Sequence, residues 1–347
     1  MRQRLQRCTL WLGLPVLLLL FMALSLRFGA VPAGWADVAA QISGGESEAR
    51  EILRDYRLPR TAAAAVIGVY LSLAGLVFQT VLRNPLADPT IFGVAGGASL
   101  AVVAAMALMI ALHPTGAALQ VTTSYLPLAA VPPIALAGGL VATALVFALA
   151  WRGGFSALRL VLIGVVLAAL LQGVVMAMVL TLSETRTELA ILWLAGSLYA
   201  RDFGNVLPAL PWGVAGIIVI VLMLPVLSAL RFDTDTANAM GVPVRWAAPG
   251  LLAVAAALAA VAISIAGPVG FVGLIVPHMT RLLVGPSLQH QLWGAALIGA
   301  CLVIASDTLG RAIAPPLEIP VGIVTSLIGA PVFALQIRLW MKREAND

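Results

Sequence analysis

The sequence predicts an all-α polytopic membrane protein, one transmembrane domain over residues 1–347, and three observations carry that reading. Hydrophobic residues make up 61% of the chain and charged residues 10%, where a soluble domain is nearer one-quarter charged. Apolar runs of the roughly 20 residues that a helix needs to cross a bilayer core recur from end to end. The charges gather between those runs. No soluble core could hide this much apolar surface, so the solvent is lipid.

Ten runs are expected, at residues 10–28, 61–82, 91–112, 126–150, 157–182, 207–230, 247–266, 271–284, 292–305 and 319–340. The first follows Arg2, Arg4 and Arg7 and has the look of a signal peptide. Its apolar stretch is long for one and no A-x-A site follows directly, so it reads as an uncleaved helix. The second and third are joined through FQTVLRNPLADPTIFGVAGGAS (78–99). There Asn84-Pro85 and Asp88-Pro89 break the helices into a tight turn, and Gly93, Gly96 and Gly97 allow close helix approach. The eighth and ninth runs are short for spanning, which predicts shielding by neighbouring helices rather than by lipid.

An even number of spans puts both termini on one side. With the ends inside, inner segments hold twelve cations against five acids and outer segments eight against ten. The positive-inside bias therefore places both termini in the cytoplasm, with residues 30–60 and 183–206 periplasmic and 231–246 cytoplasmic.

Several functions are excluded. Lys342 is the sole lysine, so no GxxxxGK[ST] phosphate loop can exist, and ATP is not bound in the Walker manner. The arginines are scattered and form no nucleic-acid face. Cys8 and Cys301 make neither a disulfide framework nor a metal site. No HExxH, DDxxD or other reactive constellation nominates catalytic residues, which argues against a polytopic enzyme. An ion-driven secondary carrier needs an ionisable group within a span, and His278, Arg281, Asp307 and Arg311 are poor candidates. What remains is a conduit without its own engine.

Four segments stand out. REILRDYRLPR (50–60) sets Arg50, Arg54, Arg57 and Arg60 at one outer membrane edge. They serve either as interfacial snorkels or as a cationic socket for carboxylates of an external partner. RFDTDTANAMGVPVR (231–245) reads as a short inner helix, with Asp233 or Asp235 as its cap, Gly241 at C′ and Pro243 beyond. It is either a plain connection or a knob with Ala237 and Met240 on one face that docks in a cytoplasmic groove. GPVGFVGLIVPHMTRLLVG (267–285) carries Gly267, Pro268, Gly270 and Pro277, which break the ladder where protein must cover the freed groups. With Gln79 and Asn84 these are the candidates for a gated path, packing being the alternative. In SDTLGRAIAPPLEIPVG (306–322), Asp307 and Arg311 are four apart and fit a helical pair, while Glu318 fits the start of the last span.

Taken together, RLPR (57–60), RNPLADP (83–89), WLAGSL (193–198), DTANAMGVPV (235–244), GPVGFVGLIVPHMTRLLVG (267–285) and LEIPVGIVTSLIGAPVF (317–333) resemble the FecCD/BtuC-type permeases. These are membrane subunits of bacterial ABC importers for ferric siderophores, haem and vitamin B12. The resemblance implies ten transmembrane helices in a type II importer fold, working as a dimer in the inner membrane. It implies separate ATPase subunits that bind ATP and Mg, no cofactor on this chain, and a periplasmic binding protein docked above. It assigns Arg57, Arg60 and Arg311 to that docking, and Asp235, Thr236, Ala237, Met240 and Gly241 to a coupling helix on the ATPase. One departure is GPSLQH (285–290), where members often carry D-H-R. WLAGSLYARDF is closer in wording to siderophore permeases, and a path lined by small apolar residues suits any bulky chelate of low polarity.

Overall fold

The computed structural model describes residues 6, 9–29, 33–45, 47, 49–112, 130–151, 156–182, 184–313, 315 and 317–344, and among these the repetitive structure is helical throughout. In the first half, α1 (Leu14–Arg27) is entered through a π-turn, followed by α2 (Trp35–Ser43) and α3 (Leu58–Val81). Then come α4 (Val94–Leu112), α5 (Val131–Ala150), α6 (Ala157–Val179), α7 (Glu184–Leu194) and α8 (Phe203–Val206). The second half runs α9 (Leu210–Leu222), α10 (Leu224–Ala229), α11 (Thr234–Ala239), α12 (Val244–Ala266), α13 (Val272–Val284), α14 (Leu288–Ile313) and α15 (Val321–Glu344).

Among the described residues, seven helical stretches are long and apolar enough to cross a membrane: Thr9–Arg27, Ile52–Val81, Val131–Ala150, Ala157–Val179, Phe203–Leu222, Val244–Ala266 and Leu288–Ile313. Three shorter apolar helices, Val94–Met109, Val272–Val284 and Val321–Leu335, stand where the other expected runs lie. Two expectations change. The ninth run, read as short, is the 26-residue α14, because Gln291, Asp307 and Arg311 are buried and bonded inside the protein instead of ending the helix. The run 207–230 is broken between α9 and α10, since Pro225 has no N–H and its ring crowds the carbonyl one turn back. Part of the segment 183–206 folds as α7 and α8. Positions 126–129 of the fourth run lie outside the described residues.

The helices sort into an inner and an outer set. In α3 and α12, 78% of the apolar window is buried within the chain, against 17% in α6. Along α6 the exposed residues Leu158, Leu162, Val166 and Leu170 recur every four positions, while Leu160, Gly164, Val175 and Val179 face inward. That stripe is the pattern of a helix facing an apolar solvent.

The α3 hub owes its close contacts to glycine. A methyl on Gly75 would fall inside the Gly273 carbonyl of α13, and one on Gly68 inside the Gly299 carbonyl of α14. Polar bonds lock the first crossing. Pro277 lacks the N–H that would bond Gly273 O, and the Gln79 amide takes its place, donating to Gly273 O at 3.2 Å and to Leu274 O at 2.9 Å. Arg281 Nη2 in turn donates to Gln79 Oε1 at 2.8 Å and fixes the amide's orientation. Freed backbone acceptors in lipid need such partners.

Gly75→Ala is expected to cost about 1–3 kcal/mol or more of stability by overpacking the crossing. Gly173→Ala is the control: its added methyl would meet nothing within 4 Å, so a gain of about 0.5–1 kcal/mol is expected from helix propensity. Unfolding midpoints of the two variants in detergent check this, and equal midpoints contradict the crossing.

Candidate functional site

The end of the bundle expected to face outward holds a buried ionic cluster. α1 stops at Arg27, leaving its last carbonyls without helical partners. Arg57 Nη1 donates to Leu26 O at 2.5 Å and Arg27 O at 2.8 Å. Arg311 donates to Phe28 O at 2.9 Å through Nη1, and to Ser25 Oγ at 2.9 Å and Ser25 O at 3.3 Å through Nη2. Its Nε also meets Asp307 Oδ2 at 3.0 Å, the expected i,i+4 pair. Arg60 grips the other side of Asp307 through Nε and Nη2 at 3.0 and 2.8 Å, and reaches Glu318 Oε2 at 2.7 Å through Nη1.

This arrangement corrects the picture of an open socket. Arg57 and Arg311 are buried, and Arg60 is 12% exposed with two internal acids. Asp307 is 2% exposed, so removing it would leave Arg311 without its carboxylate and Arg60 with Glu318 alone. The exposed cations of the stretch are Arg50 and Arg54. Glu318 precedes α15 as expected, but its carboxylate serves Arg60 instead of the helix start.

Above the cluster opens a cavity of about 840 Å³, walled by the 52–60 stretch, the 199–204 turn, Gly29, Arg311 and Glu318. Sequence reading missed the 199–204 wall. Its position comes from a backbone junction: Ser197 N donates to Ala266 O at 2.7 Å and Gly322 N to Gly196 O at 3.0 Å. Gly196 and Gly267 both take positive φ, and a methyl on either would run into the Pro268 or Trp193 carbonyl respectively. Gly267 and Pro268 are therefore parts of a tight joint between α7, α12 and α15. Gly270 is looser, its Cβ position 3.4 Å from Ser326 Oγ.

At the opposite end, Asp233 caps α11, accepting from Thr236 N at 3.1 Å and Thr236 Oγ1 at 2.6 Å. These bonds hold its carboxyl below the ordinary carboxylate range. Gly241 N to Asn238 O and Val242 N to Ala237 O close the helix in a Schellman motif around Gly241 at φ +85°. Ala237 faces inward at 1% exposure while Met240 is 57% exposed. The expected shared face thus does not exist: Asp235, Thr236, Asn238 and Met240 form the free surface. Arg83 Nη1 donates to Phe232 O at 3.0 Å and Arg231 Nη1 to Pro286 O at 2.9 Å, tying the loop to the α3 turn and to the GPSLQH loop. Asn84 builds that turn, its Oδ1 accepting from Leu86 N at 2.9 Å. Asn84 and Gln79 both have hydrogen-bond partners within the chain.

Asp307→Asn is expected to lower stability by about 3–5 kcal/mol, because Arg60 and Arg311 lose the charge they share. Denaturant unfolding in detergent measures it, and an unchanged midpoint would remove the cluster from the structural account.

Comparison with known proteins agrees with this architecture. The model of the FecCD transport family matches residues 17–338. The achromobactin transport system permease protein CbrC of Dickeya dadantii is 36% identical, covering 92% of this chain and 88% of that protein. The Fe(3+) dicitrate transport system permease protein FecD of Escherichia coli is also 36% identical, covering 89% and 92%. The cobalamin import system permease protein BtuC of Halobacterium salinarum is 37% identical, covering 88% and 79%. A metal-chelate-type ABC transporter solved in an inward-facing conformation superposes with a TM-score of 0.79 at 27% identity, over 95% of this chain and 98% of that one. With a family match over nearly its whole length, this chain belongs to the FecCD transport family.

Proposed function

We propose that the chain is the permease subunit of an ATP-driven importer that carries an iron chelate, a ferric siderophore foremost, across the bacterial inner membrane. The family match over residues 17–338 carries this reading. Relatives are permeases for achromobactin and ferric dicitrate, and the cobalamin relative supports cobalamin as a second cargo reading. The seven long and three shorter apolar helices among the described residues support a reading with ten crossings, and the charge bias supports cytoplasmic termini. Two permease chains form the path, two ATP-binding subunits sit beneath, and a periplasmic binding protein docks above.

The capped helix α11 supplies the coupling surface. Its six residues could not hold a helix alone in water, so cap, Schellman motif and a docking partner act together. At the outer end, Arg50 and Arg54 are exposed cations among the described residues, placed to meet a binding protein's carboxylates.

The isolated chain is expected to hydrolyse no ATP, with turnover appearing on addition of the ATPase subunit; hydrolysis by the purified chain alone would refute the reading. Met240→Glu tests coupling more cleanly than a change at Gly241, whose φ strains any side chain. It should cut uptake about tenfold or more, as loss of a central interface contact does, with membrane levels unchanged. Undiminished uptake would place the coupling surface elsewhere.

A further inference from the structure

Arg201 lines the outer cavity and takes no part in the ion pairs of the cluster beneath it. It is 7% exposed, and its Nε is buried without a hydrogen-bond partner among the described residues. Desolvation pushes its guanidinium pKa down, with Asp202 opposing. A buried guanidinium N–H without a partner is costly, and an anionic oxygen is the acceptor that best satisfies it.

We propose that Arg201 is the anion-receiving group of a substrate site in the outer cavity, taking a carboxylate or other anionic oxygen donor of the chelate. The identification of the cargo as a chelate rests on the importer reading; the anion site itself rests on the cavity.

Four observations converge. First, the cavity's 840 Å³ lies within the range of small-molecule pockets. Second, Tyr56, Tyr199 and Phe203 line it with exposed rings, giving an apolar rim around a charged floor. Third, the acids that share the lining are Asp55, Asp202 and Glu318. Glu318 is engaged by Arg60, and Asp202 caps α8, accepting from Asn205 N at 3.0 Å, so that it acts on Arg201 through its charge without an ion pair. Among the described residues no ion pair joins Arg201 to any of them. Fourth, the backbone is strained to place this residue: Ala200 takes φ +53°, a left-handed conformation unusual for a side chain other than glycine. Arg57 and Arg311 border the same cavity but are committed to the α1 carbonyls. Arg201 is the lining guanidinium left with donors to offer, and its planar fork matches a carboxylate.

The test is equilibrium binding to the full chain in lipid nanodiscs without ATPase subunits. The probes are iron(III) dicitrate, an anionic iron(III) tris-catecholate and a neutral iron(III) tris-hydroxamate. Wild type should bind at least one anionic probe with affinity that falls as salt rises. Arg201→Gln should weaken that binding about tenfold or more, as loss of a charged hydrogen bond predicts. Arg201→Lys, which keeps the charge and loses the fork, should fall between the two, and binding of the neutral probe should be indifferent to both changes. Equal anionic-probe binding by wild type and Arg201→Gln, or no anionic binding at all, overturns the proposal. An Arg201→Gln variant that binds chelates normally but associates more weakly with the binding protein also overturns it, giving the site to a protein carboxylate. Because ATP is absent, failure here leaves the importer reading standing, and failure of ATP-driven uptake leaves this site standing.

Discussion

In a bilayer core no water completes an unfinished hydrogen bond, so each polar group at a helix end or break must find a partner in the protein. This chain meets that constraint with long side chains reaching across from other segments. The carbonyls of residues 25–28, at the end of α1, are met by Arg57 and Arg311. The acceptor freed by Pro277 is met by Gln79, and Gly285 O at the end of α13 by Gln291 at 2.9 Å. The first two cases join helices far apart in sequence. The bond that satisfies the backbone there also sets the distance between helices, so satisfaction and tertiary architecture are one requirement.

Glycine and amide depend on each other at the α3–α13 crossing. Gln79 lies one turn beyond Gly75 on the same face of α3, and a glutamine side chain is short. Only because Gly75 lets α3 touch the Gly273 backbone does the amide of Gln79 reach that carbonyl. The ionic cluster has the same economy. Arg60 and Arg311 share Asp307, Arg60 also takes Glu318, and the charge of Arg57 lies against the negative end of the α1 dipole.

Local pattern made much of this legible. Apolar runs located the helices, Pro85 and Pro89 marked the turn after α3, and Asp233 with Gly241 delimited α11. What failed to show shares a physical cause: partners distant in the chain. Arg60 reads as a lipid-edge cation until Asp307, 247 residues away, is placed against it. Polar residues at the ends of α14 look like its termini until their buried partners are seen. Arg201 carries no signal in the letters at all, because its isolation is a property of the folded cavity.

The two ends of the bundle are held by bonds of different character, and on the importer reading that difference has a mechanical meaning. At the outer end α1, α3, α14 and the lead into α15 are joined by buried ion pairs and caps, which open only with a large penalty. At the inner end α11 is joined to the hub by Arg83 on Phe232 O and Arg231 on Pro286 O, both solvent-exposed. Exposed hydrogen bonds exchange with water at small net cost. A push on α11 therefore reaches the turn after α3 and the α13–α14 loop through contacts that can yield and re-form. The outer cluster holds α3 and α14 at their far ends, so on the importer reading displacement at the inner end becomes a change of tilt about that point.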